Sequence, residues 1–277
     1  MIRPTLIVSP LLAIVSLGLQ AQTTSPATLS PQVPDASVTA EPPASPYTAN
    51  ISLTTKYKFR GQDQGNTDFF SPALQGGFDW SRNGFYLGNW NSNIGFTNAG
   101  IEMDFYAGYK GEVAKDFGYD VGILQYYYPQ KNKVVDFDTT EIYGALTYMW
   151  MSVKYSHTVS MDYFGFGEGF RNSVPLTYRP RGRNTGYLDF SANYPLVDKL
   201  TLNAHVGYTR YANDLRNVRD AGGADIGLPD YCDYKLGVTY DLGSGFSAAG
   251  SVVGANKKNY YGDLNKARAI FTISKSI

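Results

Sequence analysis

Two histidines, His157 and His205, carry the chain's main potential for acid–base catalysis. A histidine beside a serine can activate it for hydrolysis, and His157 lies close in sequence to Ser156 and Ser160. Such a group would suit an outer-membrane enzyme that acts on lipids. His205 shares the polar side of its segment with Asn203. Because a lone histidine on a strand is more often structural, we expect no enzyme and keep lipid hydrolysis as an alternative.

The one cysteine, Cys232, adds neither a disulfide nor a metal site to this chemistry. A single thiol has no internal partner and lacks the companions of a Cys metal site. We therefore expect no metal and no other cofactor. The 24 basic residues balance the 24 acidic residues, so no electrostatic argument favours nucleic acid as a partner.

Polar and apolar residues alternate along the segments that carry most of the charged side chains. In 51–60, every odd position except Thr55 is apolar or aromatic and every even position is polar. Segment 101–110 repeats this alternation, and 200–210 repeats it with the apolar residues at even positions. Successive strand side chains point to opposite faces, so each segment predicts a strand with one apolar and one polar face. About twelve such strands are predicted, at 49–60, 71–81, 84–94, 100–110, 117–128, 139–149, 151–160, 186–194, 200–211, 231–241, 245–254 and 267–275.

The connections between these strands alternate between short and long. Tight turns are predicted at 81–84 and 241–245, whereas 161–185 and 212–230 are long and polar. Short turns on one side and long loops on the other are typical of outer-membrane barrels. The predicted fold is therefore all-β, an antiparallel transmembrane β-barrel of about twelve strands. A soluble sandwich or a lipocalin-like barrel is the less favoured alternative.

Two segments precede the predicted barrel. Residues 1–21 have a basic start, an apolar run and a small residue at the end, which is the layout of a secretory signal peptide. Residues 22–47 are rich in Pro, Ser and Thr and predict a disordered linker. The outer-membrane barrel is then expected over 48–277.

The two faces of the predicted strands suggest two environments. The apolar face would contact lipid, with Tyr57, Phe59 and Tyr211 in the aromatic belts near the strand ends. The polar face would line the lumen, where Arg210 is also expected, and its mixed charges allow either a water-filled pore or a lumen plugged by ion pairs. The pore-lining candidates are Lys56, Lys58, Arg60, Glu102, Asp104, Lys110, Asp120, Glu141, Lys154, Asp189, Asn203, His205, Asp233 and Lys235.

The long segment 161–185 suggests either a constriction or a solvated surface loop. If it folds inward, its arginines would narrow the pore and favour anions. These constriction candidates are Arg171, Arg179, Arg181 and Arg183.

Short motifs along the chain resemble those of the TorF family of porin-like proteins. The resemblance implies a porin-like barrel over about 50–277 and carries no catalytic residues; the family often has Gly-Cys-Trp where this chain has Gly88-Asn89-Trp90. The segments are 57–61 (YKFRG), 71–76 (SPALQG), 84–93 (GFYLGNWNSN), 102–109 (EMDFYAGY), 126–129 (YYYP), 141–143 (EIY), 204–208 (AHVGY) and 231–237 (YCDYKLG).

Together these patterns predict an outer-membrane channel for passive diffusion of small hydrophilic solutes or ions. Export through the periplasm would bring it to the bacterial outer membrane. Its expected partners are outer-membrane lipid and lipopolysaccharide, the outer-membrane insertion machinery and small solutes, with no nucleic acid. Besides the lipid enzyme, a closed structural or adhesin barrel remains an alternative.

Overall fold

The computed structural model describes residues 45–65, 68, 70–96, 99–129, 135–176 and 178–277. The predicted signal peptide lies outside these ranges, as does the predicted linker apart from its last three residues. Among the described residues, no helix combines the length and the apolar character needed to cross a membrane.

Twelve strands of the described chain form one closed antiparallel barrel. The first and last strands close it, with Leu53 opposite Ile273 on one side and Leu74 on the other. The predicted fold class is therefore confirmed. The wall strands are β1 (Tyr47–Thr54), β4 (Ala73–Arg82), β5 (Phe85–Asn93), β6 (Ile101–Ala114), β7 (Phe117–Tyr127), β8 (Thr139–Tyr148), β9 (Met151–Thr158), β10 (Gly186–Val197), β11 (Leu200–Arg210), β12 (Tyr231–Gly243), β13 (Phe246–Ala255) and β14 (Arg268–Ser276).

Two-residue turns gather at one end of the barrel, which we name the turn end. Asn83 and Gly84 have φ values of 52° and 84°, and Ser244 and Gly245 repeat this geometry. Positive φ at both positions lets a two-residue turn follow the twist of the strands it joins. The longer connections all lie at the opposite end, the loop end. The turns occupy 83–84, 115–116, 149–150, 198–199 and 244–245.

The outer surface of the wall is apolar. Phe78, Val206 and Phe271 are 58–65% exposed although each lies in the middle of a paired strand. A continuous apolar surface of this kind is unfavourable in water but suits contact with lipid. The predicted outward apolar face is borne out by the exposed side chains of Ile51, Leu53, Leu74, Leu87, Phe105, Val121, Ile123, Ile142, Leu146, Leu188, Phe190, Leu236, Val238, Val252 and Ile273.

The buried core lies inside the barrel at the loop end. Three short helices from the loops contribute to it: α1 (Phe166–Ser173), α2 (Asn213–Arg216) and α3 (Lys258–Tyr261). Their side chains pack with aromatic residues of the neighbouring loops and wall. The core includes Trp90, Leu124, Tyr126, Tyr128, Tyr163, Phe164, Phe166, Phe170, Leu215, Val218, Leu228, Tyr231 and Tyr261.

Three aromatic residues predicted in the lipid-facing belts belong to this core instead. Tyr57, Phe59 and Tyr211 are only 1–2% exposed. The prediction was wrong because each residue follows the end of its wall strand: β1 ends at Thr54 and β11 at Arg210. The strand alternation no longer decides which way a side chain points beyond those ends.

Candidate functional site: a lumen closed by an inner hairpin

The first loop turns into the lumen and forms a small hairpin over residues 55–65, here called the inner hairpin. Wall pairing between β1 and β4 ends at Thr54 and Ala73. Inside, β2 (Lys58–Phe59) pairs with β3 (Gln62–Asp63). All residues from 56 to 64 are buried. The prediction of a wall strand reaching residue 60 was therefore wrong, and Lys56, Lys58 and Arg60 fill the lumen instead of lining it.

Gly61 forms the tip of the inner hairpin and lies against the wall. Its φ of +78° falls in the left-handed region that favours glycine. A Cβ atom added there would lie 2.6 Å from the Cβ of Asp233 and 2.9 Å from the Cβ of Ala255. The tip therefore fits against β12 and β13 only without a side chain.

A single carboxylate, that of Asp63, holds three cations around the inner hairpin. Its oxygens lie 3.4 Å from Lys56 Nζ, 3.0 Å from Lys58 Nζ and 3.3 Å from Arg268 Nη2. The Asp63 side chain is fully buried. Burial lowers the pKa of Lys58 to about 8, although the nearby carboxylate acts in the opposite direction. Arg268 belongs to β14, so the cluster ties the hairpin to the wall.

A second ion pair joins the hairpin to the opposite wall. Arg60 donates two hydrogen bonds to Glu141 of β8, at 3.0 and 2.8 Å, and a third to Tyr163 at 2.8 Å. Its guanidinium also lies 4.1 Å from the centre of the Tyr187 ring. Parallel hydrogen bonds to a carboxylate fix the orientation of the arginine as well as its position.

The wall supplies a third anchor through Glu102. The hydroxyl of Tyr57 donates to one carboxylate oxygen at 2.8 Å, and Tyr128 donates to the other at 2.9 Å. The Tyr57 ring packs edge-on against Trp90, with 5.6 Å between ring centres. The inner hairpin is thus held on several sides by buried ionic, hydrogen-bonded and aromatic contacts.

The lumen differs between its two ends. At the loop end, the inward residues Thr158 and Thr209 have no exposed surface. Towards the turn end, the inward positions become half-buried and then exposed, as at Ser81 and Asp241. The barrel therefore encloses a water-accessible vestibule that is open at the turn end and closed by the inner hairpin and the loop core. We use "vestibule" for the half of the lumen at the turn end.

Most predicted pore-lining residues do face inward, at two depths. The vestibule holds an ionic and hydroxyl network in which His205 contacts Asp189 at 2.8 Å and Asp233 at 2.7 Å. Tyr86 joins Asp120 to Tyr143 by hydrogen bonds. Glu102, Asp104, Glu141, Asp189 and Asp233 are buried, whereas Lys110, Asp120, Lys154, Asn203, His205 and Lys235 are half-buried or exposed to the vestibule.

The arginines of segment 161–185 differ in their contacts: one is paired and three are exposed. Arg171 in α1 binds both oxygens of Asp162 and the carbonyl of Pro180. Arg179, Arg181 and Arg183 are exposed. The loop turns its aromatic residues inward instead, so the prediction that its arginines narrow a pore gains no support from their exposed positions.

Arg210 points away from the lumen, so its predicted inward position was wrong. It is exposed, while its neighbour Thr209 is fully buried at an inward position. The alternation of β11 places even-numbered residues such as Val206 and Tyr208 on the outer face, and Arg210 follows them.

His157 does not form the arrangement expected of a lipid hydrolase. Its ring nitrogens lie 3.2 Å from the Tyr155 hydroxyl and 3.2 Å from Asn184 Oδ1. Ser156 faces inward and is buried, and Ser160 donates to the carbonyl of Asp162. In the described part of the chain, no group of three or more His, Cys, Asp or Glu side chains is placed to hold a metal ion.

Asp63, Gly61 and Arg268 were missed by the sequence reasoning. One signal could have revealed the hairpin: Arg60-Gly61 is a two-residue turn with Lys58 and Asp63 as its flanking opposite charges. An X-Gly pair between residues of opposite charge favours a tight hairpin. Only the closed wall shows that this hairpin lies inside the barrel.

Solved structures with a similar fold include outer-membrane porins. The NanC porin is 9% identical, with a TM-score of 0.50, over 82% of this chain and 97% of its own. The KdgM porin in complex with disordered oligogalacturonate is 10% identical, with a TM-score of 0.49, over 83% of this chain and 99% of its own. At such identities the likeness concerns the fold alone.

No curated protein matches this sequence. A family described as a bacterial protein of unknown function (Gcw_chp) matches residues 40–277, which include the whole barrel and the inner hairpin. Its description does not contain the name TorF, which therefore stays a prediction. The chain therefore belongs to the Gcw_chp family of bacterial proteins.

Proposed function

We propose that this protein is a porin-like channel of the bacterial outer membrane, closed in this structure by its inner hairpin. It would pass small hydrophilic solutes or ions by passive diffusion when the hairpin leaves the lumen. The observation that carries the proposal is the polar, water-accessible vestibule inside a wall whose outer surface is apolar.

The membrane location follows from hydrogen bonding and surface chemistry. Every wall strand pairs on both sides, so the closed barrel leaves no strand edge to be satisfied by water. Its exposed apolar side chains would face lipid, and its short turns would face the periplasm. Lipid, lipopolysaccharide and the insertion machinery are the partners that this location implies, and the signal peptide would direct export.

The lumen supports the proposed channel activity. Charged side chains such as Lys110 and Lys235 lie on inward positions that water reaches from the turn end. A barrel of twelve strands is intermediate between filled eight-strand barrels and wide porins of about 16–18 strands. A narrow pore therefore fits once the hairpin is displaced, and the mixed charges of the vestibule would tune its selectivity.

A permanently closed structural barrel is the second candidate, favoured by the depth of the hairpin's ion pairs. The Arg60–Glu141 and Lys58–Asp63 pairs are both about 99–100% buried. Sustained conductance in a planar bilayer, with uptake of small sugars into liposomes, would support the channel. A folded barrel that never conducts, even after the hairpin is released, would support the closed module.

The location is tested by fractionating cells that express the protein. We expect it in the outer membrane, extractable only with detergent and migrating faster on a gel before heating than after, as a folded barrel does. A processed protein that is soluble without detergent would contradict the proposal. Lipid hydrolysis by the purified protein, lost in His157→Gln, would instead favour the enzyme.

A further inference from the structure

The outer face of the wall carries a cationic crevice at the loop end, between β9, β10 and β11. It has a volume of about 680 Å³. Its floor consists of the outward residues Tyr155, Leu188 and Tyr208, which are 41–49% exposed. Its rim carries Arg181, Arg183 and Arg210, with Asp214 as an acidic neighbour. Apolar rings below and guanidinium groups above thus face the same space.

Among the described residues, none of the three arginine side chains has a hydrogen bond or ion pair with another residue. Of the acidic residues nearby, Asp230 binds Arg216 at 3.4 Å and accepts a hydrogen bond from Tyr208, which leaves Asp214 beside three arginines. The local balance is therefore positive. Exposed guanidinium groups that outnumber the carboxylates beside them suit an anionic ligand, and phosphate oxygens match guanidinium geometry.

The depth of the crevice indicates where such a ligand would come from. The crevice lies where β9 ends at Thr158 and β10 begins at Gly186, above the apolar wall. Tyrosine rings at strand ends mark the headgroup level of a membrane barrel. Through His157, Asn184 is linked to Tyr155, so the arginine-bearing segment is held against the wall.

Cationic side chains also lie above an outward tyrosine ring on the neighbouring part of the wall. A second crevice of about 730 Å³ brings Lys257 and Lys258 over the outward ring of Tyr234. Both lysines are exposed. Cations of two separate loops therefore lie above outward tyrosines of neighbouring strands, as expected for a rim that contacts charged headgroups.

We propose that the crevice formed by Arg181, Arg183 and Arg210 binds the phosphate of a phosphorylated outer-leaflet lipid, whose acyl chains lie along Leu188 and the tyrosine rings. The site rests on the membrane location proposed above but not on channel opening. It anchors the barrel laterally in the leaflet and takes no part in solute passage.

The test is lipid titration of the refolded full barrel in neutral detergent, followed by native mass spectrometry with lipid A as the probe. The variant Arg181→Gln/Arg183→Gln/Arg210→Gln is expected to bind lipid A about tenfold or more weakly, since each cation near a charged lipid surface contributes measurably. A matched control, Arg82→Gln/Lys115→Gln/Lys199→Gln, removes three exposed cations from the turn end and should bind like the wild type.

Three results would overturn the inference: equal binding by the loop-end variant, equal loss in the turn-end control, or equal binding of lipid A without its phosphates. Displacement of lipid A by inorganic phosphate at similar concentration would assign the site to free phosphate instead of lipid. Heat-dependent gel migration checks that each variant is folded. A folded, conducting barrel that binds lipid A equally well with and without the three arginines contradicts only the lipid site. A protein that is soluble without detergent contradicts the membrane location.

Discussion

Asp63→Asn is expected to release the inner hairpin and to raise conductance in a planar bilayer. The buried carboxylate is shared by Lys56, Lys58 and Arg268. Asparagine keeps the volume but removes the charge, leaving three cations without their common counter-ion. Breaking a buried ion pair costs about 3–5 kcal/mol, which would shift the balance between docked and released hairpin by about a hundredfold or more.

Trypsin gives an independent readout of the same change, because Lys56, Lys58 and Arg60 become cleavable only when the hairpin leaves the lumen. The matched control is Asp263→Asn, which removes an exposed pair with Lys266 at 3.9 Å and should change neither conductance nor cleavage. Wild-type conductance and trypsin resistance in Asp63→Asn would show that this cluster does not hold the hairpin. Cleavage without conductance would favour the closed structural barrel.

Gly61→Leu is expected to expel the hairpin tip by steric overlap. The new side chain would meet Asp233 and Ala255 at distances shorter than real Cβ contacts allow. A non-glycine residue at left-handed φ also costs about 1–2 kcal/mol. We expect more frequent or longer channel openings than in the wild type, measured by single-channel recording.

Gly223→Leu separates backbone strain from steric overlap. Gly223 has nearly the same φ, +82°, but nothing lies within 4 Å of its added Cβ. This control should conduct like the wild type. Equal effects of the two substitutions would mean that strain or misfolding, and not displacement from β12 and β13, causes the change.

Much of the wall could be predicted because a strand's alternation is a local property. The apolar positions of 101–110 and 200–210 point outward in the structure as expected. The two-residue turn at Asn83-Gly84 could also be predicted from the sequence, since positive φ at both positions favours Asn and Gly. Lipid on one side and water on the other keep the alternation regular.

The filling of the lumen could not be predicted in the same way. Residues 51–60 alternate with the single exception of Thr55 and the alternation resumes after it, yet the wall strand ends at Thr54 and the remainder turns inward. Position in the fold, not local pattern, makes Lys58 and Arg60 part of the closure. Glu141 and Tyr163 reach Arg60, and Arg268 reaches the local Lys58–Asp63 pair, only when the wall closes. A charged strand face and a charged internal hairpin look alike in a single sequence.

The positions of the loop arginines could not be predicted from the sequence for a related reason. Arg181 and Arg183 lie in a loop whose aromatic residues Phe164, Phe166 and Phe170 are buried inside the barrel. From the sequence, the whole loop is predicted to lie either inside the barrel or on the surface. The structure divides it instead, with rings packed inward and these arginines over the outer wall, because burial favours rings and opposes unpaired charge.

The most direct measurement compares the wild-type barrel with one in which residues 55–72 are replaced by a short Asn-Gly turn. Thr54 and Ala73 are paired neighbours, so a tight turn can join them without altering the wall. The shortened barrel should conduct ions in single-channel recordings far more often than the wild type and admit small sugars into liposomes. If the shortened barrel folds and inserts but conducts ions and admits sugars no more than the wild type, the proposal of a channel closed by this hairpin is contradicted.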